Sequence, residues 1–244
     1  MASQLVIFLD DGGVMNDNSQ RASQWQRLVG EYFMPLLGGT SEAWIEANRI
    51  VTSDLFDTEN WQKRIKAASN YASFDHVYQF DWLRGMCAYL GIQPPPQEEC
   101  VKLARRAIDY ITPRVHAAFP GAVDAIRMLQ KQGHTLHTAS GTSSIDLAAI
   151  LEGMGVRDCF SRLYGPDLVD TFKAGPEYYE RIFADAGIST ANALVVDDSP
   201  QAINWAAQVG AKAVLIGDFP HFETRAMLHI RRLATLPEII EQLN

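Results

Sequence analysis

The sequence predicts an α/β fold, a mostly parallel sheet with helices on both faces, interrupted after its first strand by an all-helical insertion. Three observations predict it. Short apolar runs recur at residues 5–9 (LVIFL), 193–196 (ALVV) and 213–216 (AVLI), the length and composition of buried strands, with a further short strand over 135–139 (TLHTA). Segments with apolar residues three and four apart fall between the later runs and stop at glycines, which is the alternation that builds parallel sheets. Between the first run and the rest lie about a hundred residues with helical spacing and no strand pattern.

Taken in order, the first run ends in Asp10-Asp11-Gly12-Gly13-Val14-Met15. A carboxylate there sits at the carboxyl end of a strand, where open α/β sheets bind ligands. Glycines beside it let backbone N–H groups approach an anion closely. Helical spacing then covers residues 21–37, 41–53, 61–71, 74–90 and 97–111, punctuated by Gly38-Gly39, Gly91 and Pro94-Pro95-Pro96. Pro120-Gly121 precedes a helix over 122–132, stopped by Gly133, and the strand 135–139 leads into Ser140-Gly141. Helices follow over 144–154 and 176–186, ending at Gly155 and Gly187. The run 193–196 ends in Asp197-Asp198, a helix over 202–209 stops at Gly210, and the strand 213–216 follows. The segment after Phe219 reads as a closing helix. The expected domains are therefore a sheet-bearing core of 1–16 with 116–244, and a helical module over 17–115.

A chain of 244 residues can bury one large core, or a core and a smaller domain. Its 47% apolar and 20% charged content are ordinary for a soluble globular protein. A net charge of -8 and a pI near 5.2 argue against general nucleic-acid or membrane-surface binding, both of which favour basic patches. No apolar run approaches the roughly 20 residues of a membrane span, and the start lacks the basic-then-apolar pattern of a secretory leader. Cys87, Cys100 and Cys159 are odd in number and widely spaced, which fits reduced thiols and a cytoplasmic location. The histidines form no HExxH arrangement, and none is assigned a metal.

Four motifs stand in order: LVIFLDDGGVM, LHTASG, FKAGPEYY and LVVDDSPQAI. Together they resemble the haloacid dehalogenase superfamily, whose members are mainly phosphatases with a Rossmann-like core. The resemblance covers the whole chain. The insertion after the first motif is similar to the helical cap of many members, and FPGAVDAIRMLQKQG to the stretch that re-enters their core.

The resemblance implies a Mg²⁺-dependent phosphohydrolase acting on a small phosphorylated metabolite. Asp10 is the expected nucleophile, since a carboxylate that attacks phosphorus splits one hard displacement into two easier ones. Mg²⁺ wants hard oxygen ligands, here Asp10, the Gly12 carbonyl, Asp198 and Asp197. Lys173 would offset phosphate charge and the mutual repulsion of the carboxylates. The Ser140 hydroxyl and backbone N–H groups near Gly141, with the Gly12-Gly13 loop, would donate to phosphoryl oxygens.

The first motif departs from the family pattern Asp-x-Asp-Gly, whose second aspartate is the general acid and base. Two registers fit. In one, Asp10 is the nucleophile and Gly12 replaces the acid/base, with Asp11 as its substitute if the loop turns that side chain inward. In the other, Asp11-Gly12 matches the usual second Asp-Gly and Leu9 falls at the nucleophile position, giving a non-catalytic protein that binds a phosphorylated ligand or a partner. The first matches more of the loop. It implies the loss of an acid/base worth ~10²–10⁴ in rate, and so a preference for leaving groups that need little protonation.

A third reading is cleavage of a C–P or C–halogen bond. Phosphonate-cleaving members have a small residue at this position and use a cap lysine, for which Lys63 and Lys66 are available. Dehalogenating members need no metal, and Asp197-Asp198 argues against that branch, because a halide site gains nothing from clustered carboxylates. The module's aromatics, among them Trp25, Phe33, Trp44, Trp61, Phe74 and Trp82, are expected mostly in its own core. Arg21, Arg27, Arg49 and Arg84 are candidates to meet an anionic substrate or to stand as surface charges.

Overall fold

The computed structural model describes residues 5–218 and 224–243. The chain divides into a sheet-bearing unit, residues 1–18 with 117–244, and a helical unit, residues 19–116. The central strand β1 (Val6–Leu9) opens the sheet-bearing unit. Five helices follow: α1 (Asn18–Leu37), α2 (Ser41–Leu55), α3 (Thr58–Ala67), α4 (Tyr71–Leu90) and α5 (Gln97–Ile111). Returning, the chain forms α6 (Ala122–Lys131), β2 (Thr135–Ala139), α7 (Ser144–Gly153), β3 (Phe160–Tyr164), the short α8 (Pro166–Val169) and α9 (Pro176–Ala186). It closes with β4 (Ala193–Asp197), α10 (Pro200–Gln208), β5 (Lys212–Ile216), β6 (Leu228–Ile230) and α11 (Leu236–Leu243).

The sheet is Rossmann-like, with six parallel strands in the order β3-β2-β1-β4-β5-β6. The chain builds outward from β1 through β2 to β3, then crosses back to lay β4 on the other side of β1. That reversal leaves a crevice at the carboxyl ends of β1 and β4, where such sheets hold their ligands. Successive strand residues point to opposite faces. Ile7 and Leu9 of β1, with Leu194 and Val196 of β4, pack with Ile126 and Leu129 of α6, Leu147 and Leu151 of α7 and Leu236 of α11. Phe8 and Val195 pack instead with Tyr178, Tyr179, Ile182 and Phe183 of α9 and Ala202 and Ala206 of α10. Both faces are covered, which is why the strands read as near-continuous apolar runs.

Three expectations need correction. The boundary expected between helices over 61–71 and 74–90 lies earlier: α3 ends at Ala67, and Asn70 starts α4 with a capping box in which its side chain accepts the Ser73 N–H at 2.8 Å. Strand β3 was not among the expected strands because Ser161 and Arg162 are exposed in its middle and break the apolar run. Strand β6 has three residues, too few for a period to show. The closing helix is α11, and residues 219–223 lie outside the described residues.

Within the helical unit, Phe33 stacks on Trp44 with centroids 5.1 Å apart and meets Trp82 edge-on at 5.7 Å. Each indole N–H is satisfied, Trp44 by the Gly38 carbonyl and Trp82 by Asn48 Oδ1, both at 2.8 Å. Arg27, Arg49 and Arg84 pair with Glu31, Glu46 and Asp81 of this same unit. Among the described residues, no helix is long and apolar enough to cross a membrane.

Candidate active site

The carboxyl ends of β1 and β4 are tied together where Asp10 donates its N–H to the Val196 carbonyl at 3.0 Å. Beyond them the carboxylates of Asp10, Asp197 and Asp198 converge, each offering an oxygen within 4.8 Å of the others. Lys173 enters from the segment between α8 and α9, where the Ala174 N–H bonds back to the Phe172 carbonyl at 2.7 Å in a tight turn centred on the lysine. Its Nζ lies 2.6 Å from Asp197 Oδ2 and 3.2 Å from Asp10 Oδ1. The Asp197 side chain is 1% exposed, against 13% for Asp10, so Lys173 links a sunken carboxylate to one the solvent can reach.

The charge balance is strained without a further cation. Burial alone would lower the Lys173 ammonium, but Asp10 and Asp197 outweigh it and hold it well above the ordinary lysine value, permanently charged. Burial raises the Asp197 carboxyl, opposed by Lys173 and reinforced by Asp10. Burial, then the like charges of Asp10 and Asp197, push Asp198 up to about 6. Three carboxylates facing one lysine form a hard-oxygen donor set with negative charge to spare, and this fits a Mg²⁺ ion.

Asp197 is further held by the Ser199 N–H at 2.9 Å and by the Tyr179 hydroxyl at 3.4 Å. Ser199 also caps α10, its hydroxyl accepting the Ala202 N–H, and Pro200 starts that helix with a preset φ. Burial and the nearby Asp197 push the Tyr179 phenol well above its ordinary value, so it serves as a donor.

Ser140 follows β2 and is buried. Its Oγ accepts the Thr142 N–H at 3.3 Å, and the hydroxyl hydrogen can still be donated. The Tyr178 hydroxyl donates to the Ser140 carbonyl at 2.6 Å, and Gly141 is exposed beside it.

The loop after Asp10 closes on itself. Met15 and Asn16 N–H groups both bond the Asp11 carbonyl at 2.9 Å, and the Gly13 N–H bonds the Asn16 carbonyl at 2.8 Å. Gly13 adopts φ +80°, and a Cβ there would overlap the Asp198 carboxylate, so glycine is required for both reasons. A Cβ on Gly12 would lie 2.5 Å from Asn18 Oδ1.

This loop revises the reading of Asp11. Its side chain is fully buried and takes the Asn16 amide at 2.8 Å, and it is absent from the group formed by Asp10, Asp197 and Asp198. Asp11 braces the loop, a placement that gives no support to its use as a substitute acid/base. Leu9, the nucleophile position of the alternative register, is buried in the apolar core. The register that places Asp10 at the centre of the charged cluster is the one this geometry favours.

Residues 22–210 match the sequence pattern of the haloacid dehalogenase-like hydrolases. The chain belongs to that family. Among curated proteins it is 30% identical over 96 residues to "Probable phosphatase IndB" of Dickeya dadantii, covering 39% of this chain and 42% of that one. It is 25% identical over 118 residues to phosphoglycolate phosphatase of Mesorhizobium japonicum, covering 47% and 52%. The chain thus spans about half the length of the curated relatives it matches. Among solved structures, L-2-haloacid dehalogenase from Xanthobacter autotrophicus superposes with a TM-score of 0.63 over 100% of both chains at 16% identity, a likeness of fold.

In this haloacid dehalogenase-like hydrolase, Asp10, Ser140, Lys173, Asp197 and Asp198 all belong to the sheet-bearing unit. Lys63 and Lys66 belong to the helical unit, where Lys63 pairs with Glu59 at 2.7 Å and lines a cavity of about 660 Å³ with Asn60, Arg64 and Asp81. Sequence reasoning assigned no role to Tyr178, Tyr179, Asn16 or Asn18. The tyrosines were in view within FKAGPEYY, where their place at the start of α9 next to the lysine turn was the available signal.

Proposed function

We propose that this hydrolase is a Mg²⁺-dependent phosphohydrolase that transfers the phosphoryl group of a small phosphorylated metabolite to Asp10 and then to water. The observation that carries the reading is Lys173 bridging Asp10 and Asp197 beside a third carboxylate, Asp198. A lone nucleophilic carboxylate needs no such acidic surroundings, and a halide site would be harmed by them. A divalent cation with a dianionic phosphate turns the same excess of carboxylate into an asset.

Asp10, the most exposed carboxylate of the Lys173 pair, would attack phosphorus in line with the departing oxygen. Lys173, 3.2 Å from Asp10 Oδ1, would hold its charge near the phosphoryl oxygens. Ser140 would donate its hydroxyl to a phosphoryl oxygen while Tyr178 and the Thr142 N–H fix its orientation. Asp10, Asp197 and Asp198, with the Gly12 carbonyl, would hold Mg²⁺, which when bound screens the phosphate charge from the carboxylates. With Gly12 in place of an acid, the departing oxygen draws no proton from that residue. Substrates with stable leaving anions, acyl phosphates above all, would turn over fastest.

The helical unit would serve as a cap that excludes water and admits small substrates. The three free, buried cysteines support a reducing, cytoplasmic setting.

Phosphate release from a panel of phosphomonoesters and acyl phosphates, with and without Mg²⁺, tests the reading, with Asp10→Asn as control. Release that requires Mg²⁺ and vanishes in Asp10→Asn is the expected result. No release from any substrate would overturn it.

A further inference from the structure

The amide of another residue stands where a side chain on Gly12 would be. A Cβ built on Gly12 meets Asn18 Oδ1 at 2.5 Å, Nδ2 at 3.0 Å and Cγ at 3.1 Å. The next residue, Gly13, has its own open side against the Asp198 carboxylate. One two-glycine step is therefore flanked by the Asn18 amide and by a carboxylate of the acidic cluster, two residues after the nucleophile candidate Asp10. Asn18 is the last residue of the sheet-bearing unit and the first of α1, and it is exposed.

We propose that Asn18 is the positioning residue for the oxygen that leaves or attacks phosphorus. The inference rests on the phosphohydrolase reading above. A primary amide carries both an N–H donor and a carbonyl acceptor, so one side chain can serve both half-reactions without exchanging a proton. In the first, a bond forms between Asp10 and phosphorus as the substrate's P–O bond breaks. Asn18 Nδ2 donates to the departing oxygen, which takes its proton from water. In the second, a water oxygen bonds phosphorus, Asp10 departs as carboxylate, and the water's proton ends on the released phosphate. Asn18 Oδ1 accepts an O–H of that water and aims it.

A side chain at residue 12 would have to push the amide aside. That shift is cheap, because the atoms in the way are the tip of an exposed, flexible side chain. A side chain at 12 and the amide of Asn18 thus exclude each other, and this makes a double-mutant cycle decisive.

The experiment measures kcat and KM for an alkyl phosphate and for acetyl phosphate in the parent, Asn18→Ala, Gly12→Asp and Gly12→Asp/Asn18→Ala proteins. Thermal midpoints and the amount of acid-stable phosphoenzyme are read alongside. In the parent background, Asn18→Ala should lower kcat on the alkyl phosphate by about 10²-fold, the loss typical of one donor to a charge-bearing oxygen. The effect on acetyl phosphate should be smaller, with KM and the thermal midpoint little changed. In the Gly12→Asp background the same substitution should be silent. Asn18→Ser, which keeps a helix-starting hydroxyl but is too short to reach Gly12, should behave like Asn18→Ala. Equal losses in both backgrounds, with a lowered midpoint, would reduce Asn18 to a structural start for α1 and overturn the proposal. Undiminished turnover in Asn18→Ala would overturn it while leaving the phosphohydrolase reading intact. Absence of any Asp10-dependent turnover in the parent would overturn both.

Discussion

The Tyr178 hydroxyl donates to the Ser140 carbonyl at 2.6 Å, so helix α9 grips the chain just past the end of strand β2. The same hydroxyl lies 3.3 Å from the Tyr164 carbonyl, which also accepts the Ser140 N–H and the Thr138 hydroxyl. Tyr164 keeps other partners if Tyr178 loses its oxygen, whereas the Ser140 carbonyl loses its closest donor. Tyr178→Phe is therefore expected to cost about 1–3 kcal/mol. In a chain of this size that lowers the melting temperature by several degrees. Thermal unfolding checks it, and turnover should fall along with stability because Ser140 loses its anchor.

Lys173→Met leaves Asp197 buried without its cation. Breaking a buried pair in this way typically costs about 3–5 kcal/mol. The cost should shrink on acidification, because Asp197 and Asp198 are both raised and take up protons more readily than ordinary carboxylates. Urea unfolding of parent and variant at pH 7.5 and pH 5 gives the comparison, with the larger difference expected at the higher pH.

Mg²⁺ stabilisation should carry the signature of Asp198. Its carboxyl titrates at about 6 in the fold, against 3.8 ordinarily. Between those values the metal-free fold holds a proton that the unfolded chain has released, so protonation favours the folded state there and opposes the ion. The rise in melting temperature given by Mg²⁺ should be full above pH 7 and fade as the pH falls through 6. Asp198→Asn should abolish both the rise and its pH dependence.

Gly13→Ala tests the close approach of the loop to the acidic cluster. A side chain there must hold φ +80° and displace the Asp198 carboxylate. Strain alone is worth about 1–2 kcal/mol, and loss of Mg²⁺-dependent stabilisation should exceed that expected from stability. Calorimetric titration with Mg²⁺ is the direct check.

The sheet was legible because β1, β4 and β5 are buried on both faces and carry apolar runs, and because β2 leads from the stop at Gly133 into Ser140-Gly141. Strand β3 escaped because its exposed Ser161 and Arg162 answer to solvent, not to a core. The break before α4 was placed about four residues late because the aromatic contacts of Trp61 with Phe74 and Tyr78 run across it, one cluster spanning two helices. At the site, Asp10, Ser140, Lys173 and the Asp197-Asp198 pair could be picked out by their places after strands. Which way Asp11 turns is decided by Asn16, five residues on, and the approach of the Asn18 amide to Gly12 depends on how the loop closes. Periodicity carries no trace of either.

The two ends of the helical insertion are stitched together at its base. The Asp17 N–H bonds the Ala117 carbonyl at 2.8 Å and the Phe119 N–H bonds the Met15 carbonyl at 3.0 Å, so departing and returning chains form a short antiparallel neck. For the sheet, everything beyond that neck counts as one closed loop, and the entropy of closing a flexible loop grows only with the logarithm of its length. A long excursion and a brief one thus weigh almost equally on the strands. Lineages could exchange, shorten or enlarge what lies past the neck while the carboxylates and their lysine stay where they are.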